Sequence, residues 1–307
     1  MLSDIIRIAF PCLADMIAAM NSPDLTQHIT FIIVTYNSAH VIGQCLDALP
    51  PECHTIVVDN GSRDDTCVRL AQYPDVEVIA GHNIGYGRAA NIGLAKATTP
   101  YAVLLNPDTI LCEGAIETML ACAQKHVDVG IVGARMIDYQ NGNKHYQKNY
   151  TFDDEGILYT TWIVGALMLF NMEILHKVGL FDEKIFLFFE ETDLCDRMRK
   201  AGFRLAVCQT AEAEHVEGSS SLPSPRVTKI RSWHVGWSRV HYYRKHYGLA
   251  KAMRKSFTKI YKNLFRISGE LFHPTGILLA TTYETLGVLA YFAGIQAFRN
   301  DGTARIT

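Results

Sequence analysis

Between residues 29 and 132, short β-branched apolar runs alternate with segments of helical spacing, and no other feature constrains the chain as much. Ile29-Thr30-Phe31-Ile32-Ile33-Val34 reads as a strand buried on both faces. Asn37 or Ser38 can cap the helix that follows, in which Val41, Ile42, Cys45, Leu46 and Leu49 recur until Pro50-Pro51 stops it. Thr55-Ile56-Val57-Val58 is a second strand, followed by a helix over about residues 64–72. Val76-Glu77-Val78-Ile79 is a third, and residues 85–97 read as helical. Tyr101-Ala102-Val103-Leu104-Leu105 is a fourth, residues 114–125 form a helix, and Val129 begins a further strand. Alternation with such short connections predicts an α/β fold with a mostly parallel sheet and helices on both faces.

In such a sheet, ligands bind beyond the carboxyl ends of the strands. Here those ends carry Thr35-Tyr36-Asn37, Asp59-Asn60-Gly61-Ser62, Gly81-His82-Asn83 and Asn106-Pro107-Asp108. Asp59 can accept hydrogen bonds from a ribose or a base, or it can close an ordinary Asp-Asn-Gly turn. Asn106 and Asp108 flank a rigid proline and suit a hard divalent cation, which takes one or two protein carboxylates and completes its shell with phosphate and water. A turn or helix cap is the bland alternative. Gly85-Tyr86-Gly87 is not a dinucleotide fingerprint, because the chain has no G-x-G-x-x-G.

Farther on, Phe186-Leu187-Phe188-Phe189 precedes three acids, Glu190, Glu191 and Asp193. Leu194 and Met198 lie one turn apart and Gly202 is a stop, so the spacing predicts a helix over 190–200. The helix dipole favours acids in its first turn and lowers their pKa, which would explain all three structurally. The functional alternative is a general base, ionised at neutral pH against an apolar wall. Glu191 and Asp193 are the candidates, and on a helix they point different ways. His215 is one histidine of twelve and by itself says little.

The 307 residues, 49% of them hydrophobic, suffice for a sizeable core. A net charge of -2 gives no case for nucleic acid. Eight cysteines without a C-x-x-C pair read as reduced thiols of a cytoplasmic protein. Residues 1–28 lack the marks of a secretory signal and form an N-terminal extension, expected to be helical. From Tyr243 to Phe265, aromatic and apolar residues alternate with lysines and arginines. Such a helix either caps the domain or sits on anionic lipid. Residues 277–298 are apolar enough to raise a spanning helix, but Thr281, Thr282, Glu284 and Gln296 oppose it. A helical hairpin lying on the inner face of the cytoplasmic membrane is the expectation.

Seven motifs in register resemble the inverting family-2 glycosyltransferases, especially the rhamnosyltransferase-like branch that builds bacterial surface polysaccharides. They are Ile33-Val34-Thr35-Tyr36-Asn37; Val57-Val58-Asp59-Asn60-Gly61-Ser62; Asn83-Ile84-Gly85-Tyr86-Gly87-Arg88-Ala89-Ala90-Asn91; Leu104-Leu105-Asn106-Pro107-Asp108; Gly165-Ala166; Val178-Gly179-Leu180-Phe181-Asp182-Glu183; and the run from Phe188 to Arg197. The resemblance spans residues 29–247 and implies a GT-A fold there; it fades beyond Tyr247, and 248–307 are expected from their own residues to form the helical, membrane-associated appendage. It implies that Thr35, Tyr36 and Asp59 line the base and ribose of a nucleotide diphosphate sugar. Asn83, Arg88 and Asn91 would lie beside the nucleotide and diphosphate. Asn106 and Asp108 stand at the family's D-x-D site, where Asp108 would bind Mg²⁺ or Mn²⁺ with His215 completing the shell. Glu191 stands at the catalytic base, usually an Asp, and Asn106 replaces a carboxylate. The implied donor is dTDP-rhamnose and the implied acceptor a glycan or lipid-linked glycan. Rival readings are a non-catalytic nucleotide-sugar-binding protein on the same fold and a nucleotidyltransferase, although Thr35-Tyr36-Asn37-Ser38 is not the latter's Gly-rich loop.

Overall fold

The computed structural model describes residues 24–137, 152–215, 224–270 and 278–305. Most of the expected N-terminal helical extension lies outside the described residues, which begin with a short helix α1 (Leu25–His28). The strands are β1 (Ile29–Thr35), β2 (His54–Asp59), β3 (Glu77–Ala80), β4 (Tyr101–Leu105), β5 (Thr109–Leu111), β6 (Val129–Ile137), β7 (Ile157–Thr160), β8 (Leu167–Asn171) and β9 (Arg204–His215). The helices among them are α2 (Ile42–Asp47), α3 (Thr66–Leu70), α4 (Tyr86–Lys96), α5 (Ala115–Lys125), α6 (Met172–Val178) and α7 (Glu190–Lys200). Two more follow, α8 (Pro225–Glu270) and α9 (Leu278–Phe292).

The strands form one sheet in the order β3-β2-β1-β4-β8-β6-β9-β5, with β7 paired to β9. β3, β2, β1 and β4 are mutually parallel. β8 is antiparallel to both β4 and β6, so β6 runs with β4, and β9 runs parallel to β6. β5, β7 and β8 therefore run against the other strands. The parallel block is the part that the alternating pattern specified. The reversed strands come from the region where that pattern fades.

Side chains alternate across the sheet with period two and bury both faces. Phe31, Ile33, Val57, Val103 and Leu105 pack against Cys45 of α2 and against Met119 and Leu120 of α5. Ile32, Val34, Ile56, Val58 and Leu104 pack against Ala89, Ala90 and Leu94 of α4 and against Leu194 and Met198 of α7. The polar strand ends are thereby collected at one rim. Asn37 and Ser38 do not cap α2, whose cap position is Val41. They tie the β1 and β2 loops together instead. Asn37 N donates to Ser62 Oγ at 2.8 Å, Arg63 N to Asn37 Oδ1 at 2.8 Å, and Ser38 N to Thr66 Oγ1 at 2.8 Å.

α8 breaks at Gly248 (φ 83°, ψ 170°), a left-handed backbone that glycine adopts without steric cost. Its first arm belongs to the main body: Ser238 Oγ donates to Leu187 O at 2.9 Å, and Tyr242 Oη to Asp196 at 2.6 Å. α9 crosses this arm at two glycines. A Cβ on Gly236 would lie 2.1 Å from Glu284 O, and one on Gly287 2.0 Å from Trp233 O. The chain then returns to the rim, where Trp237 Nε1 donates to Ile295 O at 2.7 Å. The described part of the segment beyond residue 247 is thus folded onto the domain through the middle of α9 and the residues that follow it.

Candidate active site

A cleft of about 940 Å³ opens at the carboxyl ends of β1, β2 and β4. Tyr36, Asn60, Ser62, Arg63, His82 and Asn83 line one end. Asn106, Pro107, Trp162, Gly165, Glu190, Glu191 and His215 line the other. Arg226 and Arg231 from the start of α8, and Arg299, Asp301 and Thr303 from the returning segment, complete the wall.

Thr35 and Asp59 support this surface without forming it. Asp59 is 3% exposed and its carboxylate accepts from Thr35 Oγ1 at 3.0 Å, from Ser62 N at 3.0 Å and from the Ser62 hydroxyl. Its acceptor capacity is spent on the loop, so the groups facing the cleft here are Tyr36, Asn60 and Ser62. Asn83 does face the cleft, fixed by Asn60 Nδ2 at 3.2 Å. Arg88 and Asn91 do not reach it. The Arg88 guanidinium lies 4.4 Å from the centre of the Phe298 ring, holding the returning segment. The buried Asn91 amide clamps both backbone groups of Phe181 at 3.0 Å. These contacts reach across the fold, and no local spacing could announce them.

At the D-x-D position, Asn106 Oδ1 accepts from Tyr86 Oη at 3.0 Å and the residue lines the cleft. Asp108 Oδ1 lies 3.5 Å from His215 Nε2, with the two side chains 1% and 15% exposed. The register of β5 on β9, which sets Thr109 opposite His215, brings together two residues 107 positions apart. A carboxylate and an imidazole at this spacing fit a divalent cation that draws its remaining ligands from diphosphate and water. No third His, Cys, Asp or Glu joins them among the described residues.

The acids of α7 divide sharply. Phe188 and Phe189 hold positive φ, 66° and 71°, a conformation that bulky residues adopt only under strain. That double turn starts α7 so that Glu190 and Glu191 both enter the cleft wall. Gly87 packs closely under Phe181, where an added Cβ would lie 3.1 Å from Phe181 Cβ, and Gly165 lies beside Glu191 at ordinary contact distance. The dipole-lowered pKa expected for first-turn acids is reversed here. Burial raises both carboxyls, Glu190 well above the usual range with the Glu191 charge adding to it. Desolvation outweighs the dipole because the first turn is buried instead of exposed. Glu190 Oε2 is buried without a hydrogen-bond partner, as suits a carboxyl that keeps its proton.

Asp193 is absent from the cleft. It is fully buried and lies 2.8 Å from Arg197 Nε, 2.7 Å from Lys245 Nζ and 2.7 Å from His246 Nε2. Burial alone would raise its pKa, but hydrogen bonds from Lys245 and His246 and the Arg197 charge hold it below the usual range. Such a group is a fixed anion that joins α7 to α8. Glu190 is the acid that sequence reasoning passed over, and the α8 and C-terminal arginines had no local signal at all.

A family model described as Glycosyl transferase family 2 matches residues 30–196. An N-acetylglucosaminyl-diphospho-decaprenol L-rhamnosyltransferase of Mycobacterium tuberculosis is 25% identical over 66% of this chain and 80% of its own. A dTDP-rhamnosyl transferase of Shigella flexneri is 23% identical, covering 91% of this chain and 99% of its own. Among solved structures, a mannosyltransferase of Pyrobaculum calidifontis in complex with GDP-Man and Mn²⁺ superposes with a TM-score of 0.53 at 16% identity, over 95% of this chain and 97% of that one.

Proposed function

We propose that this chain, which belongs to glycosyl transferase family 2, moves rhamnose from a nucleotide diphosphate to a hydroxyl of a glycan or lipid-linked glycan, with inversion. Sugar transfer from a nucleotide-sugar donor is the common activity of such enzymes. The observation that most supports the finer reading is the composition of one wall. Glu191, His215 and the arginines 63, 226, 231 and 299 share a single cleft, with Asp108 beside His215.

The roles follow from chemistry. Tyr36, Asn60, Ser62 and Asn83 receive the nucleoside, while the planar guanidinium groups suit the oxygens of the diphosphate. Asp108 and His215 would hold Mg²⁺ or Mn²⁺, which when bound offsets negative charge on the leaving diphosphate. Asn106, its carbonyl oxygen held by Tyr86, would offer its amide hydrogens to the donor as a cleft-lining residue. Glu191 takes the proton from the acceptor hydroxyl as that oxygen attacks the anomeric carbon opposite the departing phosphate oxygen. Its raised pKa makes it a stronger base at neutral pH. Glu190 retains a proton, so that the adjacent pair carries one negative charge and not two.

A panel of nucleotide sugars, tested with Mn²⁺ or Mg²⁺ and a polyprenyl-diphospho-N-acetylglucosamine acceptor, decides the matter. Consumption of dTDP-rhamnose, release of the nucleotide diphosphate and an inverted anomer by NMR are expected. A donor that stabilises the protein against heat yet is never consumed would instead indicate a non-catalytic nucleotide-sugar-binding protein. Failure of every donor with both metals to bind or react would overturn both readings.

A further inference from the structure

We infer that the second arm of α8 and the helix α9 together form one docking face for an anionic lipid bilayer. The inference concerns a surface apart from the catalytic cleft, since none of its residues lines that cleft. On α8, Leu249, Met253, Phe257, Tyr261 and Leu264 are 50%, 40%, 65%, 73% and 55% exposed. Their spacing of three and four places them in one stripe, about 22 Å long at the helical rise.

α9 extends this stripe. Asn263 Nδ2 donates to Thr285 Oγ1 at 3.0 Å and lies 3.4 Å from Thr281 O. Lys259 Nζ is 2.9 Å from Glu284, and Ala252 clusters with Val288. Contacts thus climb α9 as they descend α8, which makes the two antiparallel. α9 exposes Leu278, Leu286, Leu289 and Phe292 by 44–50%. At about 100° per residue, each exposed stripe lies roughly 120° round its own helix from its buried line, in the same rotational sense. In an antiparallel pair, equal offsets of one sense fall on the same side. The two stripes therefore face one way.

Charge selects the occupant. There is no Asp or Glu between Leu249 and Arg266; Arg254 is exposed beside the stripe, and Lys255, Lys262 and Arg266 are exposed on the opposite, polar face of the same helix. Glu284, the one acid of α9, is held by Arg239 at 3.0 Å and Lys259 at 2.9 Å. A basic polar face backing an aromatic and leucine stripe suits an anionic bilayer, whose headgroups attract the cations while the acyl boundary receives the apolar side chains. The face lies on the bilayer instead of crossing it. α9, 15 residues long, reaches about 22 Å against a hydrocarbon core of roughly 30 Å. No helix among the described residues is long and apolar enough to span.

Sedimentation of the full chain with vesicles of phosphatidylcholine, with or without phosphatidylglycerol, tests this. The protein is expected to co-sediment with the anionic vesicles and to be partly released by salt. Phe257→Ser with Tyr261→Ser should weaken that binding on the order of tenfold or more, leaving circular dichroism and donor binding unchanged. Arg254→Gln with Lys262→Gln should weaken it on anionic vesicles alone. Equal sedimentation of wild type and both variants would overturn the inference. So would absence of vesicle binding, and a dimer on gel filtration that the Phe257→Ser, Tyr261→Ser variant dissolves would then identify the face as a contact between copies.

Discussion

The Lys245 ammonium lies 2.7 Å from the Asp193 carboxylate, which joins α8 to α7 two residues beyond Glu191. Asp193 is fully buried, whereas Lys245 and Arg197 remain 32% and 18% exposed. Removing a buried partner leaves the others uncompensated, and the partial exposure of the cations reduces the loss to about 2–3 kcal/mol. Asp193→Ala should therefore lower stability in urea by about that amount while leaving the affinity for a nucleotide diphosphate within a few-fold of wild type. A variant of native stability with no turnover would restore Asp193 to the catalytic machinery.

Stability should also fall in acid through the same group. The Asp193 and Asp182 carboxyls lie below their unfolded values, Asp182 because hydrogen bonds from His241 and Lys245 overcome its burial. Their contribution is complete above the unfolded pKa of about 3.9 and disappears as pH falls through the lower folded values. Urea midpoints measured from pH 6 downward should drop steeply below about pH 4. In Asp193→Asn that slope should be shallower.

The two neighbouring glutamates should respond differently to amide substitution. Glu191→Gln removes the base and is expected to reduce kcat by roughly a hundredfold to ten-thousandfold with donor binding retained. Glu190→Gln imitates a protonated acid, so kcat should remain within about tenfold of wild type. In wild type, the acid limb of the kcat profile should lie above the ordinary Glu pKa of about 4.3, because burial raises Glu191. Exchange of the two phenotypes would place the base at Glu190.

Metal binding can be read without turnover. Asn106→Asp adds a carboxylate beside Asp108 and should lower the Mn²⁺ concentration needed for thermal stabilisation in the presence of a nucleotide diphosphate, by about tenfold. Asp108→Ala should abolish that metal-dependent shift, and His215→Ala should weaken it. A full shift in Asp108→Ala would move the cation elsewhere.

Gly236→Ala tests the helix crossing. Its Cβ would sit 2.1 Å from Glu284 O, a backbone atom that cannot swing aside. Overpacking of this kind costs about 1–3 kcal/mol, and limited proteolysis of the α8–α9 pair should accelerate accordingly. Unchanged stability would mean that the two helices part readily.

How much of this was legible in the chain depends on how far each contact reaches. The parallel block and the polar rim follow from β1, β2 and β4, whose runs of buried residues are contiguous and whose ends are marked by Thr35, Asp59 and Asn106. That rim, the position of α7 and the clustering of acids at its start can be read from the chain, because helical and strand periodicities are local properties. Which of these acids reaches the cleft is set by packing across the fold. Glu190 and Glu191 face the cleft because two strained phenylalanines turn the chain, and Asp193 is claimed by Lys245 and His246, over fifty residues away. Arg88 meets Phe298 and Asn91 is bound to Phe181 through contacts of the same long range. Arg299 and Asp301 enter the cleft wall from the far end of the chain. A side chain's function depends on what desolvates and neutralises it, and those neighbours are set by packing across the fold.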